Sequence, residues 1–265
     1  MKIVIENHVA EYVFYSAKRE ILCTPEHFCA FAMREGVQIT VERSAKMLQE
    51  MCGEGFLRPL QIEGHGRKIY FQPTSAGAQY RGKNVPRFVR SGLSQDVRRR
   101  AALRANVIFS SPSAIDWLGV ESVDELLKTN NCGQNGFSRP LVGEREGAKL
   151  ELVFCILPHE NERQVIESTI FRLLNLLESG VNCALRFACT TQNQDRVTQS
   201  LALLTSTPGS QIQQQIDAID VQIADDKTGF VALELAAKRR KLVEQLGATP
   251  EEQPYPWLSS KPIVV

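Results

Sequence analysis

Thr40-Val41-Glu42-Arg43-Ser44-Ala45-Lys46-Met47-Leu48-Gln49-Glu50-Met51-Cys52, then Phe56-Leu57-Arg58-Pro59-Leu60-Gln61-Ile62, the tip Glu63-Gly64-His65-Gly66-Arg67, and Lys68-Ile69-Tyr70-Phe71-Gln72 decide the fold of the N-terminal part. Thr40 is a helix N-cap. Val41, Ala45, Leu48 and Cys52 recur at helical spacing and are expected to face inward. That leaves Glu42, Arg43, Lys46, Gln49 and Glu50 pointing outward. Gly53 and Gly55 end the helix. Two short apolar runs around a Gly-rich basic tip predict a β-hairpin. Upstream, Tyr12, Tyr15 and Arg19 share a stripe of a helix expected from His8 to Arg19, with Val9 and Val13 beside it. Thr24-Pro25-Glu26 opens a second helix, with Thr as cap, Pro at the first position and an acid in the first turn. Phe28, Phe31 and Ala32 form its apolar face, and it ends near Gly36.

Three helices followed by a hairpin is the order of a winged helix, assigned to residues 1–80. Pro73-Thr74-Ser75-Ala76-Gly77 resembles the ending common after such wings, where a further helix begins. The expected partner is double-stranded DNA. A helix of about three turns enters a major groove, and its outward polar side chains reach base edges. Arg43, Ser44, Lys46 and Gln49 are the candidates. His65, Arg67 and Lys68 at the wing tip would lie against phosphates or in the minor groove. The alternative use of the same unit is protein contact, which Glu42 and Glu50 favour.

Residues 81–105 read as a basic linker. Arg81, Lys83, Arg87, Arg90, Arg98, Arg99, Arg100 and Arg104 are opposed only by Asp96. Each phosphate they neutralise would release counterions and add salt-sensitive affinity. The part from Ser94 to Ala105 is compatible with a helix.

From Asn106 to Ser206 the pattern is that of a small α/β domain. Val107-Ile108-Phe109 reads as a short strand. Ser113 to Leu118 and Ser122 to Leu127 read as helical turns. Phe137 to Val142 and Lys149 to Leu157 read as a strand pair. A helix follows with Ile166, Ile170, Leu173, Leu174 and Leu177 on one face, then a strand from Ala184 to Cys189, then a helix through Val197 to Leu204. The winged-helix order, the basic linker and this α/β order together resemble the plasmid mobilisation and replication-relaxation proteins. That resemblance implies a second domain similar to restriction endonucleases, with an Asp at the start of the hairpin and an acidic pair on the next strand holding a divalent metal. This chain departs from the pattern. Leu141 follows Arg139-Pro140 where the Asp is expected, and Phe154, Cys155 and Ile156 stand where acids would be needed. Glu151 lies earlier on the strand, and Asp116, Glu160 and Glu162 could be substitutes in space, though nothing in the spacing requires it. The domain is therefore expected to be a degenerate, non-catalytic scaffold with no cofactor. Under a nuclease alternative, Asp116 and Glu151 would carry Mg or Mn.

Residues 207–247 read as a helical hairpin. Ile212, Ile216, Ile219 and Ile223 form a seam on the first helix, and Val231, Leu235, Leu242 and Leu246 mark the second. Its expected uses are homodimerisation, partner binding or packing on the chain's own α/β domain. The tail, 248–265, is Pro- and aromatic-rich and is expected to be disordered or to dock on a partner. Overall the fold class is α+β or α/β. The seven cysteines form no Cys-x-x-Cys pair and read as reduced thiols. His159-Glu160-Asn161-Glu162 lacks the second histidine of a zinc-protease helix. Apolar runs are too short for a membrane span, and the start carries no apolar signal core, so a cytoplasmic protein is expected. Three functions are carried forward: a regulator or mobilisation accessory that binds DNA, a metal-dependent DNA nickase, and a protein-interaction adaptor.

Overall fold

The computed structural model describes residues 2–79, 92–112, 114–132, 139–145, 149–206, 208–225, 232–247, 255 and 257–265. The fold is α+β. The N-terminal unit runs α1 (Lys2–Arg19), α2 (Pro25–Arg34), α3 (Val41–Gly53), β1 (Leu57–Gln61), β2 (Ile69–Pro73) and α4 (Ser75–Gln79). The first helix thus begins six residues before the expected His8. Thr24 Oγ1 accepts from His27 N at 3.4 Å, and Thr40 Oγ1 accepts from Arg43 N at 3.3 Å. Both caps satisfy amides that a helix start would leave open. β1 and β2 pair antiparallel, with Gln61 opposite Ile69. Tyr12, Phe28, Phe31, Leu48, Leu57 and Phe71 pack into one core between the three helices and the hairpin.

One face of α3 differs from its apolar pattern. Ser44 and Leu48 are the buried residues, with Met47, Met51 and Cys52 half-buried beside them, while Val41 is 45% exposed. The Ser44 hydroxyl meets Cys29 Sγ of α2 at 3.0 Å. A small side chain with a satisfied hydroxyl fits the closely packed α2–α3 contact, so polarity did not keep it outside.

Of the expected linker, residues 95–105 are helical, in keeping with the reading of Ser94 to Ala105, and residues 81–91 lie outside the described residues. α5 spans Gln95–Ser110, capped by Ser94 Oγ accepting from Val97 N at 3.4 Å. It therefore crosses the boundary placed at residue 105, and Val107-Ile108-Phe109 is its last turn, not a strand. A β-branched and aromatic run reads as strand by propensity, but here both units pack on it. Ala101 and Ala102 join Leu22, Ile62 and Tyr70 of the N-terminal unit. Leu103, Val107 and Ile108 join Trp117, Leu141 and Val153 of the sheet.

The C-terminal unit continues as β3 (Asp116–Trp117), α6 (Val120–Thr129), β4 (Leu141–Arg145), β5 (Lys149–Cys155), α7 (Glu162–Leu177), β6 (Cys183–Cys189), α8 (Gln194–Thr205), α9 (Pro208–Asp225), α10 (Ala232–Gly247) and β7 (Ile263–Val264). The strands form one sheet in the order β3-β4-β5-β6-β7. β3, β4 and β5 are antiparallel; β5, β6 and β7 are parallel. One face carries Val142, Leu152, Phe154, Leu185 and Phe187 against α7 and α8. The other carries Leu141, Val153 and Cys155 against α5. Two expectations change here. Asp116-Trp117 is an edge strand, not part of a helical turn. The tail folds onto this chain's own sheet: Leu185 N donates to Trp257 O at 2.8 Å, Ser259 N donates to Leu185 O at 3.0 Å, and Val264 pairs with Cys189. An open β6 edge with buried apolar neighbours on both faces is a ready acceptor for a strand.

α9 and α10 pack on each other through Ile216, Ile219 and Leu242, with Ile223 and Leu235 half-buried. All seven cysteines are free thiols. Burial pushes those of Cys23 and Cys155 up to about 11. Among the described residues, no helix is long and apolar enough to cross a membrane.

Candidate nucleic-acid interface

The N-cap at Thr40 and the burial of Ser44 and Leu48 fix which way α3 turns. Arg43, Lys46 and Gln49 stand exposed on its far side, together with Glu42 and Glu50. Among the described residues, the side chains of Arg43, Lys46 and Gln49 have no hydrogen-bond or ion-pair partner. Ser44, expected beside them, is fully buried and is removed from this face.

The hairpin tip lies between Gln61 and Ile69. Gly64 and Gly66 adopt φ +87° and +64°, a backbone region that residues with a Cβ rarely enter. Arg67 and Lys68 are exposed there, and the Lys68 ammonium lies 5.8 Å from the centre of the Tyr70 ring. His65 is also exposed, and its Nδ1 is 2.8 Å from Tyr70 Oη. Partial burial, Arg99 and Lys68 all push the His65 imidazole below its ordinary pKa.

The arginines of α5 are engaged with the protein itself. Arg98 donates to Gln61 O at 3.5 Å. Arg99 donates to Glu63 O at 3.2 Å and pairs with Asp96. These bonds brace the base of the hairpin. Arg100 donates to Cys155 O at 2.8 Å and pairs with Glu160. Arg104 pairs with Glu20 at 3.5 Å. The arginines expected to meet phosphates at 98–100 thus have backbone carbonyls and carboxylates of both units as neighbours. Arg81, Lys83, Arg87 and Arg90 lie outside the described residues.

The acids do not make a metal site. Cross-strand register aligns Trp117, Gly143 and Glu151 in one row and Asp116, Glu144 and Leu150 in the next. Adjacent rows point to opposite faces, so Asp116 and Glu151 diverge. Both oxygens of Glu151 are ion-paired, Oε2 with Arg145 at 2.5 Å and Oε1 with Arg186 at 2.8 Å. Glu160 holds Arg100, and Glu162 pairs with Arg196 at 3.0 Å. Among the described residues, no group of three or more His, Cys, Asp or Glu side chains could hold a metal ion. Among the described residues, these acids do not fit the divalent metal that the mobilisation-protein resemblance implies.

The cluster around Glu151 went unseen in the sequence. Arg145, Lys149, Glu151 and Arg186 line a cleft of about 250 Å³ with Trp257, Leu258 and Ser259. A signal was present: Arg186 interrupts the apolar run Ala184-Leu185-Phe187, and a charge there needs a partner.

No family model, curated protein or solved structure matches this chain.

Proposed function

We propose that this protein binds double-stranded DNA through α3 and the β1–β2 tip without cleaving it, as a regulator or mobilisation accessory of a mobile element acting in the cytoplasm. The observation that carries the reading is the contrast between α3 and α5. The polar groups Arg43, Lys46 and Gln49 are exposed and unpartnered among the described residues, while the α5 arginines are bonded within the chain. A helix capped, buried on one side and polar on the other is the element that major-groove readout requires. Arg67 and Lys68 supply backbone contacts. The α9–α10 hairpin, where Val221 and Val243 are exposed, is the proposed contact with a second copy. Two copies would read paired half-sites.

Selection of bound duplexes from a random pool tests this. One enriched motif is expected, lost on Lys46→Ala and Gln49→Ala. A pool that stays random, with equal retention by the variants, rules the reading out. A second reading is a protein-docking face. It is favoured by Val41 and Ile69, both exposed, and by Glu42 and Glu50, which offset the charges of Arg43 and Lys46. A stable protein partner displaced by Val41→Asp, with no enriched DNA, would support it.

A further inference from the structure

The cleft at one end of the sheet lies outside the proposed DNA face. Glu151 stands at its centre, its side chain only 5% exposed on β5. Two guanidiniums hold its two oxygens, Arg145 from the end of β4 and Arg186 from β6, and these remain 44% and 32% exposed. A guanidinium has five donors in a planar fork, so one contact to Glu151 leaves donors for a second acceptor. Lys149, at the start of β5, also lines the cleft and has no ion pair among the described residues. Three cations thus surround one carboxylate, which gives the cleft a positive field. Trp257, Leu258 and Ser259 of the folded tail border the cleft, with Trp257 and Leu258 packed against the α7–α8 core.

We propose that this cleft binds a phosphate group, with Arg145, Arg186 and Lys149 as its ligands and Glu151 as the residue that positions the two guanidiniums. Paired guanidiniums match phosphate oxygens in fork geometry, and the ammonium adds a point charge. Glu151 is the anchor that keeps both forks in register before the ligand arrives. The site is independent of the DNA face, and either can fail without the other.

Fluorescence of the full-length chain reads the site directly. Trp257 lines the cleft, while Trp117 is buried in the core. Inorganic pyrophosphate, thymidine 5′-monophosphate and a short duplex are titrated separately at constant ionic strength. Lys149→Gln is the deciding variant, because the Lys149 ammonium is exposed and holds no ion pair among the described residues. A saturable change with pyrophosphate or the nucleotide, weakened about tenfold by Lys149→Gln, is expected for a free phosphate ligand. A change with the duplex alone, weakened by Lys149→Gln and unaltered by Lys46→Ala, assigns the phosphate to a nucleic-acid backbone. Arg186→Gln should abolish either response in protein whose circular dichroism is unchanged. No saturable response to any probe, or responses that Lys149→Gln leaves intact, overturns the proposal.

Discussion

Gly77 sits where α4 passes the turn before β1. A Cβ built there would collide with the Phe56 carbonyl oxygen and touch Val13. Thr74 fixes the same approach: its hydroxyl donates to Gly55 O at 2.6 Å and accepts from Gly77 N at 3.2 Å. Gly77→Ala is therefore expected to cost about 1–3 kcal/mol in denaturant melts, against a helix-propensity gain of under about 1 kcal/mol. The Thr74-x-x-Gly77 pattern was legible in the sequence because both residues have a single geometric role. Ser44 was not. Its partner, the Cys29 thiol, is 15 residues away in the chain, and no periodicity within α3 reveals it. Ser44→Ala should cost about 1 kcal/mol, and Ser44→Lys more than about 3 kcal/mol, since an ammonium would be buried unpaired. Lys46→Ala, by contrast, should leave stability within about 0.5 kcal/mol. Equal effects at the two positions would place α3 in a different rotation.

At the scale of elements, α5 joins the two units, and its chemistry is that of a structural strut. Arg100 and Glu160 are both largely buried where α5 meets the end of β5. Arg100→Gln leaves Glu160 without its cation and is expected to destabilise the protein by about 3 kcal/mol. It should not alter the salt dependence of any DNA binding. His27 of α2 reports on the same junction. Its Nε2 is 2.9 Å from Asn106 Oδ1, and its ring stacks on Phe109 at 5.1 Å. Burial pushes its pKa down from 6.5 to about 4. The folded state therefore holds it neutral, while the unfolded chain protonates first as pH falls. The stabilisation is complete above pH 6.5 and is lost between there and about pH 4, up to roughly 3 kcal/mol. Urea melts across that window should show the loss in the wild type and a smaller one in His27→Gln. The start of α5 was legible, since Ser94 to Ala105 reads as compatible with a helix, but its last turn was not: Val107-Ile108-Phe109 is a strand by propensity, and its burial against both units is set by distant residues. The α3 helix, the hairpin and the β5–α7–β6 order were legible because each has a cap, a turn or an unbroken apolar period of its own.

Across the whole molecule, the tail completes the sheet. Leu258 is buried, and Trp257 O and Ser259 N bond to the same residue, Leu185. Deletion of residues 255–265 would bare the β6 edge and the side chain of Leu258's pocket, so a fall in Tm and concentration-dependent aggregation are expected by scanning calorimetry and light scattering. This closure was not legible because a Pro- and aromatic-rich tail carries no period, and its pairing depends on a strand some 70 residues earlier. The central claim is that α3 faces a duplex while α5 does not. It is tested most directly by the slope of log Kobs against log salt for a selected duplex. The wild type should bind with a steep slope, Lys46→Ala and Arg67→Ala should each reduce it by about 1, and Arg100→Gln should leave it unchanged. A slope that Arg100→Gln lowers and Lys46→Ala does not would contradict the account.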